Sequence, residues 1–243
     1  MQYWGLTDLG CVRQKNEDAL HIEPLNRSTV MCVVCDGMGG AKSGNVASSM
    51  AADTFAQEIK RTWKKRKKYG SVEKIMFEAA SLANLTVYQQ SQVSEEFAGM
   101  GTTLVAAIVQ GKTVNIVNVG DSRAYRVNKD GISQITTDHS VVQMMVQKGE
   151  LTQEEAKSYP GKNYITRAIG TEETVTCDGF SEQIGKGENL ILCSDGLTNV
   201  VSDQEILFEV LHGGTPDTCC QRLIEIAKRR GAPDNVTCAL IAL

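Results

Sequence analysis

The chain has 243 residues, a formal net charge of −4, 42% hydrophobic and 22% charged residues, which excludes a disordered chain and leaves a folded globular one. No apolar run reaches the roughly 18 residues of a spanning helix, and the opening MQYWGLTDLG carries no basic-then-apolar leader, so a cytoplasmic protein is expected. With only 4 Pro and no Ser/Gly-rich tract there is no linker, so one domain over 1–243 is expected.

In chain order, Tyr3–Asp8, Ala19–Glu23 and Thr29–Cys35 have the pattern of strands. Ser43 to about Lys68 turns helical, and a second helix runs from Ser71 to about Val93, with Val72, Ile75, Met76, Ala79, Leu82 and Val87 mostly on one face. Thr103–Val109, Val114–Val119 and Ser122–Val127 are strands joined by the polar turns Gln110–Lys112 and Asn128–Gly131, links short enough to make them antiparallel hairpins. Ser140–Gly149 and Thr152–Ser158 are short helices, the second opened by Thr152 with Glu155 completing a capping box. Strands Val175–Phe180 and Asn189–Cys193, helices Ser202–Leu211 and Thr215–Arg230, and a last strand Val236–Leu243 follow. Antiparallel strands interrupted by paired helices predict an α+β fold of packed sheets covered by helices.

Eight cysteines in a chain without an export signal are expected to stay reduced. Cys32 and Cys35 form a CxxC, but on a strand that spacing points them to opposite faces, so they are core thiols and not a zinc or redox pair. Cys219 and Cys220 are packing positions on a late helix. The charge is unevenly placed: seven of the nine residues of Lys60–Lys68 are basic, leaving 18 Lys/Arg against 29 Asp/Glu elsewhere. That run is either the solvated end of a long helix, where cations complement the dipole, or a docking point for an acidic or anionic partner such as a kinase, a ribosome or a membrane. Its single interleaved aromatic, Trp63, argues against a nucleic-acid partner.

Acidic residues at strand ends carry the chemistry. Asp36 closes an apolar strand before Gly37-Met38-Gly39-Gly40, Asp195 closes another before Gly196, and Asp234 precedes the last strand. Glu17 and Asp18 precede the second strand, and Asp121 sits at a tight turn. A single Asp-Gly pair is an ordinary turn former. Several carboxylates at buried strand ends, however, are costly unless paired or metal-bound, and oxygen donors suit Mg²⁺ or Mn²⁺ better than zinc.

Five segments in order, Asp8 to Asp18, Asp36 to Gly40, Gly101-Thr102-Thr103, Gly120 to Arg123 with Asp138-His139-Ser140, and Ser194 to Gly196 with Asp234-Asn235, resemble the type 2C metal-dependent protein Ser/Thr phosphatases in their bacterial stand-alone form. The resemblance implies a four-layer αββα sandwich, two antiparallel β-sheets flanked by helix pairs, with two Mn²⁺ or Mg²⁺ ions at one end. It implies that Asp36 bridges the ions, the Gly37 carbonyl and Glu17 hold one, and Asp195 and Asp234 hold the other. Asp18 would orient metal-bound water, and Asp121 with Asp195 would form a weaker third site. Arg13 would bind phosphate, since a guanidinium offers paired donors. A flap over about 138–170, ending at Thr166 to Gly170, would border the substrate channel, with Arg167 either touching substrate or anchoring the flap. Met38 stands where eukaryotic members often have a histidine, which leaves the proton donor open; His139 is expected in a structural role, and His21 and His212 as structural or surface residues.

The expected activity is hydrolysis of phosphoserine and phosphothreonine in proteins by a monomer opposing a Ser/Thr kinase, with phosphorylated proteins as partners and no nucleic acid. Rival readings are a phosphoprotein-binding scaffold, which the complete carboxylate set disfavours, and a two-metal nuclease suggested by the basic run.

Overall fold

The computed structural model describes residues 1–38 and 43–243. Gly39 and Gly40, part of the Asp36 to Gly40 segment that carries the resemblance, lie outside the described residues.

Two antiparallel sheets pack face to face. One contains β2 (Asp18–Asn26), β3 (Thr29–Met38), β5 (Leu104–Gln110), β6 (Thr113–Val119) and β9 (Asp178–Gln183) in that spatial order, with the two-residue β4 (Gly101–Thr102) on the end of β3. The other contains β1 (Gln2–Asp8), β11 (Val236–Ala242), β10 (Asn189–Cys193), β7 (Arg123–Asn128) and β8 (Gly131–Gln134). Helices α1 (Gly44–Trp63) and α3 (Val72–Ser91) cover the first sheet; α7 (Asp203–His212) and α8 (Pro216–Arg229) cover the second.

The alternation of side chains along β3 builds two of the three cores. Cys32 and Val34 face the opposite sheet with Val105, Ile116, Leu192 and Ile241, whereas Met31, Val33 and Cys35 face Phe55, Ile59 and Met76 of the helices. The two thiols of the CxxC therefore lie on opposite faces, as expected, and Cys219 and Cys220 pack under β11 in the third core. All eight cysteines are free, but Cys11 alone is exposed and Cys177 half-buried. Burial pushes the Cys193 thiol up to about 12 and the Cys32 thiol up as well. A thiol reagent at neutral pH is thus expected to modify one cysteine rapidly in the native protein and all eight after denaturation. Rapid native labelling of more than two would contradict this packing.

Several boundaries differ from expectation. The first long helix stops at Trp63, and Arg66–Tyr69 forms a separate turn, α2. Thr62 back-bonds to the Glu58 carbonyl at 2.8 Å, and the break folds the Arg66 guanidinium over the buried Trp63 ring at 4.8 Å. Gly131–Gln134 continues its hairpin as an edge strand; its exposed Ser133 and Gln134 give no apolar signal. The expected strand Val175–Phe180 is shifted, because Val175 and Cys177 pack toward the helices and pairing with β6 begins only at Asp178. Asp195 is not a strand end but the first residue of a one-turn helix, α6 (Asp195–Thr198).

Between 138 and 170 lie α4 (Val141–Gln147) and α5 (Gln153–Ser158), with Ser140 capping the first and the Thr152/Glu155 box capping the second. No residue of α4 is buried. The segment is tied to the body at both ends: His139 N–H donates to the Gly120 carbonyl at 3.0 Å, and Ile169 bridges Thr102.

Candidate active site

The strand directions bring the acids together. Asp18 opens β2 opposite Asp36 near the end of β3, Asp195 follows β10, Asp234 precedes β11, and Asp121 sits in the turn that carries the chain from one sheet to the other. Each comes from a different part of the chain, and all meet at one end of the sandwich.

Backbone and hydroxyl groups hold them there. Thr103 Oγ1 accepts from the Asp36 N–H at 2.9 Å, while Thr103 N–H and Thr102 Oγ1 each donate to the Asp36 carbonyl at 2.9 Å. Thr103 Oγ1 also pairs with Ser122 Oγ at 2.7 Å, which joins the Asp36 strand to the Asp121 turn. Gly120 takes φ +103 there, and a Cβ on it would strike Thr103 at 2.6 Å. Asp18 is buried, and its Oδ2 accepts from Ser194 Oγ at 2.8 Å and Thr237 Oγ1 at 2.6 Å. Asn199 Nδ2 donates to Asp195 Oδ2 at 2.9 Å. Asn235 pins the entry loop, accepting from Glu17 N–H at 2.8 Å and donating to the Leu9 and Lys15 carbonyls at 2.9 and 3.0 Å.

The electrostatics are those of crowded anions. Burial raises Asp36 well above the usual carboxylate range, and the charges of Asp18, Asp195 and Asp121 add to it. Burial lifts Asp18 to about 7 despite its two hydroxyl donors, and lifts Asp121 to about 7 with help from Asp195 and Asp138. Asp195 is raised by burial and by Asp234, although it is close enough to Asp36 to share a hydrogen bond.

Glu17 and Gly37 also meet. A Cβ built on Gly44 would lie 2.9 Å from both the Glu17 carboxyl carbon and the Gly37 carbonyl oxygen, so the two flank one point at the start of α1. Arg13 reaches the same end of the sandwich, where its Nη2 donates to Asp234 Oδ2 at 2.8 Å. Burial opposes its charge, while Asp234, Glu17 and Asp36 together raise the guanidinium above its ordinary value.

The donor set fits hard divalent cations. It consists of oxygens alone, and Asp18 Oδ1 is buried without a hydrogen-bond partner beside Asp195 and Asp234. Among the described residues no three acidic, His or Cys side chains yet enclose a common point. Arg13 and the Asp36–Asp195 contact occupy the carboxylates instead.

His139 is 5% exposed and has no free nitrogen to offer a substrate. Its Nδ1 accepts from Gly120 N–H at 3.1 Å, which leaves Nε2 as the donor to Asp178 Oδ2 at 3.1 Å. Arg167 Nη1 donates to Asp178 Oδ1 at 2.8 Å, so Arg167 anchors the end of the 138–170 segment. Burial pushes Asp178 up, but His139 and Arg167 more than offset it and hold the carboxyl low. Met38 lines a cleft of about 310 Å³ with Ile165, Arg167, Thr171 and Thr176.

Sequence reasoning missed Thr237, whose signal was a polar residue inside the apolar run VTCALIAL, and the Arg123–Asp138 pair, bidentate at 2.6–3.0 Å.

A two-sheet sandwich with oxygen donors gathered across its end is the plan of a phosphatase family, and the sequence agrees: the model of protein phosphatase 2C matches residues 12–224, and the chain belongs to that family. It is 35% identical over 238 residues to the serine/threonine phosphatase stp of Listeria innocua, covering 97% of this chain and 93% of that one. The crystal structure of serine/threonine phosphatase Stp1 from Staphylococcus aureus superposes with a TM-score of 0.89 at 38% identity, over 100% of this chain and 95% of that chain. The catalytic domain of the serine threonine protein phosphatase PstP, solved in complex with two manganese ions, gives a TM-score of 0.84 at 32% identity, over 98% and 96%.

Proposed function

We propose that the chain is a Mn²⁺- or Mg²⁺-dependent phosphatase that removes phosphate from phosphoserine and phosphothreonine in proteins. The observation that carries this reading is the convergence of Asp18, Asp36, Asp121, Asp195 and Asp234, with burial raising four of them, at one end of the sandwich. In this reading Glu17, the Gly37 carbonyl and Asp36 would hold one ion, and Asp36, Asp195 and Asp234 would hold the other. Asp121 with Asp195 offers a weaker third position. Bound there, the cations supply the positive charge that acidifies an attacking water and neutralises phosphoryl oxygens. Ser194 and Thr237 fix one oxygen of Asp18, which leaves its unpartnered Oδ1 as the atom that would orient water at the site. The segment 138–170 borders the substrate cleft as a flap, anchored through Arg167 and His139.

The enzyme works in this proposal as a cytoplasmic monomer on phosphoproteins, opposing a Ser/Thr kinase. Hydrolysis of a phosphothreonine peptide with Mn²⁺, and its loss on EDTA, tests the activity; turnover that survives EDTA would reject it.

Arg13 adds a substrate test. Its ion pair with Asp234 is half-exposed and worth little to folding, about 0–1 kcal/mol, so the guanidinium is free to turn to a phosphoryl group. Arg13→Ala is expected to raise KM for phosphopeptide about tenfold to a hundredfold, the scale of one charge-assisted pair, with the melting temperature almost unchanged. An unaltered KM would place the phosphate elsewhere.

A further inference from the structure

The basic run finds its place at the opposite end of the sandwich. β2 runs from Asp18 to Asn26 and β3 returns from Thr29 to Asp36, so their connecting turn lies about 23 Å from the acids at ~3.3 Å per residue. That turn carries Arg27, the β5–β6 turn Lys112, and the β9–β10 turn Lys186. They are tied side by side: Gly111 N–H donates to the Ser28 carbonyl at 3.3 Å, and Ile184 N–H to the Lys112 carbonyl at 2.8 Å.

The end of α1 and the turn α2 reach the same face. Lys60 pairs with Glu23 of β2 at 3.0 Å, and Arg66 donates to the Gln110 side-chain oxygen at 3.0 Å when that amide is oriented to accept. Lys64, Lys65 and Lys68 therefore join Arg27, Lys112 and Lys186. All six are exposed, and among the described residues none of them is in an ion pair. Of the carboxylates nearby, Glu23 is paired by Lys60 and His21, Glu58 by Arg61, and Glu188 by Arg126. Lys129 and Asp130 cancel at the remaining turn.

We propose that this face docks the protein on an anionic lipid surface, with the acidic cleft turned away into solvent. The cations stand on turn tips and a helix end from four separate segments, a broad face and not a groove. Five of the six are lysines, point charges on flexible stems that suit mobile, unpositioned headgroups better than a shaped ligand. No aromatic ring is offered for base stacking: Trp63 is 6% exposed beneath Arg66, and the Arg61 guanidinium lies over Tyr69. The acidic pole would be repelled by the same surface, so one orientation is favoured.

Sedimentation with vesicles tests it without using activity. The protein is expected to bind phosphatidylcholine–phosphatidylglycerol vesicles at about 2:1 in ~0.1 M salt, to ignore phosphatidylcholine alone, and to be released at ~0.5 M. Lys64→Glu/Lys65→Glu/Lys68→Glu should weaken binding at least about tenfold, and Arg27→Glu/Lys112→Glu, on different segments, should also weaken it. Both variants should keep the wild-type melting temperature and p-nitrophenyl phosphate turnover. Absence of binding in low salt, or binding that both variants retain, overturns the proposal. Displacement from the vesicles by single-stranded RNA or polyglutamate at matched charge, but not by extra anionic lipid, would reassign the face to that polymer and overturn it equally.

Discussion

Replacing Asp36 with alanine is expected to lower turnover of a phosphothreonine peptide by on the order of a thousandfold or more while the protein stays folded. Asp36 stands at the centre of the anions: burial and the charges of Asp18, Asp195 and Asp121 all raise its pKa. Its backbone is held by Thr102 and Thr103 and does not need the carboxylate. Removing one charge from that crowd relieves its neighbours, so the variant in EDTA should melt no lower than wild type. Asp195→Ala should behave alike, because the same repulsion acts on it. Near-wild-type rates for both variants at saturating Mn²⁺ would reject the assignment of these acids. A markedly lower melting temperature in EDTA would reject the repulsion argument.

The second large effect is on stability against pH. Asp18 titrates at about 7 in the folded protein, mainly because it is buried, against 3.8 for the free side chain. The folded state therefore holds a proton that the unfolded state has released, and the stability this confers is full below pH 3.8 and is lost as pH rises toward 7. The loss is on the order of 4 kcal/mol for one such group, with Asp121 acting in the same direction. Glu188 and Glu205, held at about 2 by their hydrogen bonds, act oppositely, but their gain is complete once the unfolded chain has ionised. In EDTA the melting temperature should fall between pH 5.5 and 7.5, and Asp18→Asn should flatten that slope. Mn²⁺ competes with those protons, so its stabilising shift should be larger at pH 7.5 than at pH 5.5. A metal-free profile that is flat across this window would show that Asp18 is ionised throughout.

The acids were legible because each interrupts a pattern. Asp36 closes an apolar run inside β3, and Asp121 sits between two strands; neither has a packing reason to be there. Their braces were harder to see. Thr103 and Ser122 are ordinary strand-edge residues until the fold places their hydroxyls 2.7 Å apart. The Arg13–Asp234 pair spans 221 positions, a distance at which neither composition nor periodicity carries information. Local competition explains the boundary errors: β8 is an edge strand with a single core-facing apolar side chain, Ile132, and the helix through Lys60–Lys68 breaks because Trp63 is buried while its cationic neighbours stay in water.

Asp18 belongs to one sheet, yet the hydroxyls that hold it, Ser194 and Thr237, belong to the other. The cleft is thus spanned like the jaws of a caliper, and its gauge is set by how the two sheets rest on each other. Any substitution that thickens or thins the layer of Val34, Ile116 and Leu192 between them moves the jaws without touching a jaw residue. Cation affinity could therefore drift among relatives with identical acids, tuned from a greasy interlayer that never sees the ion.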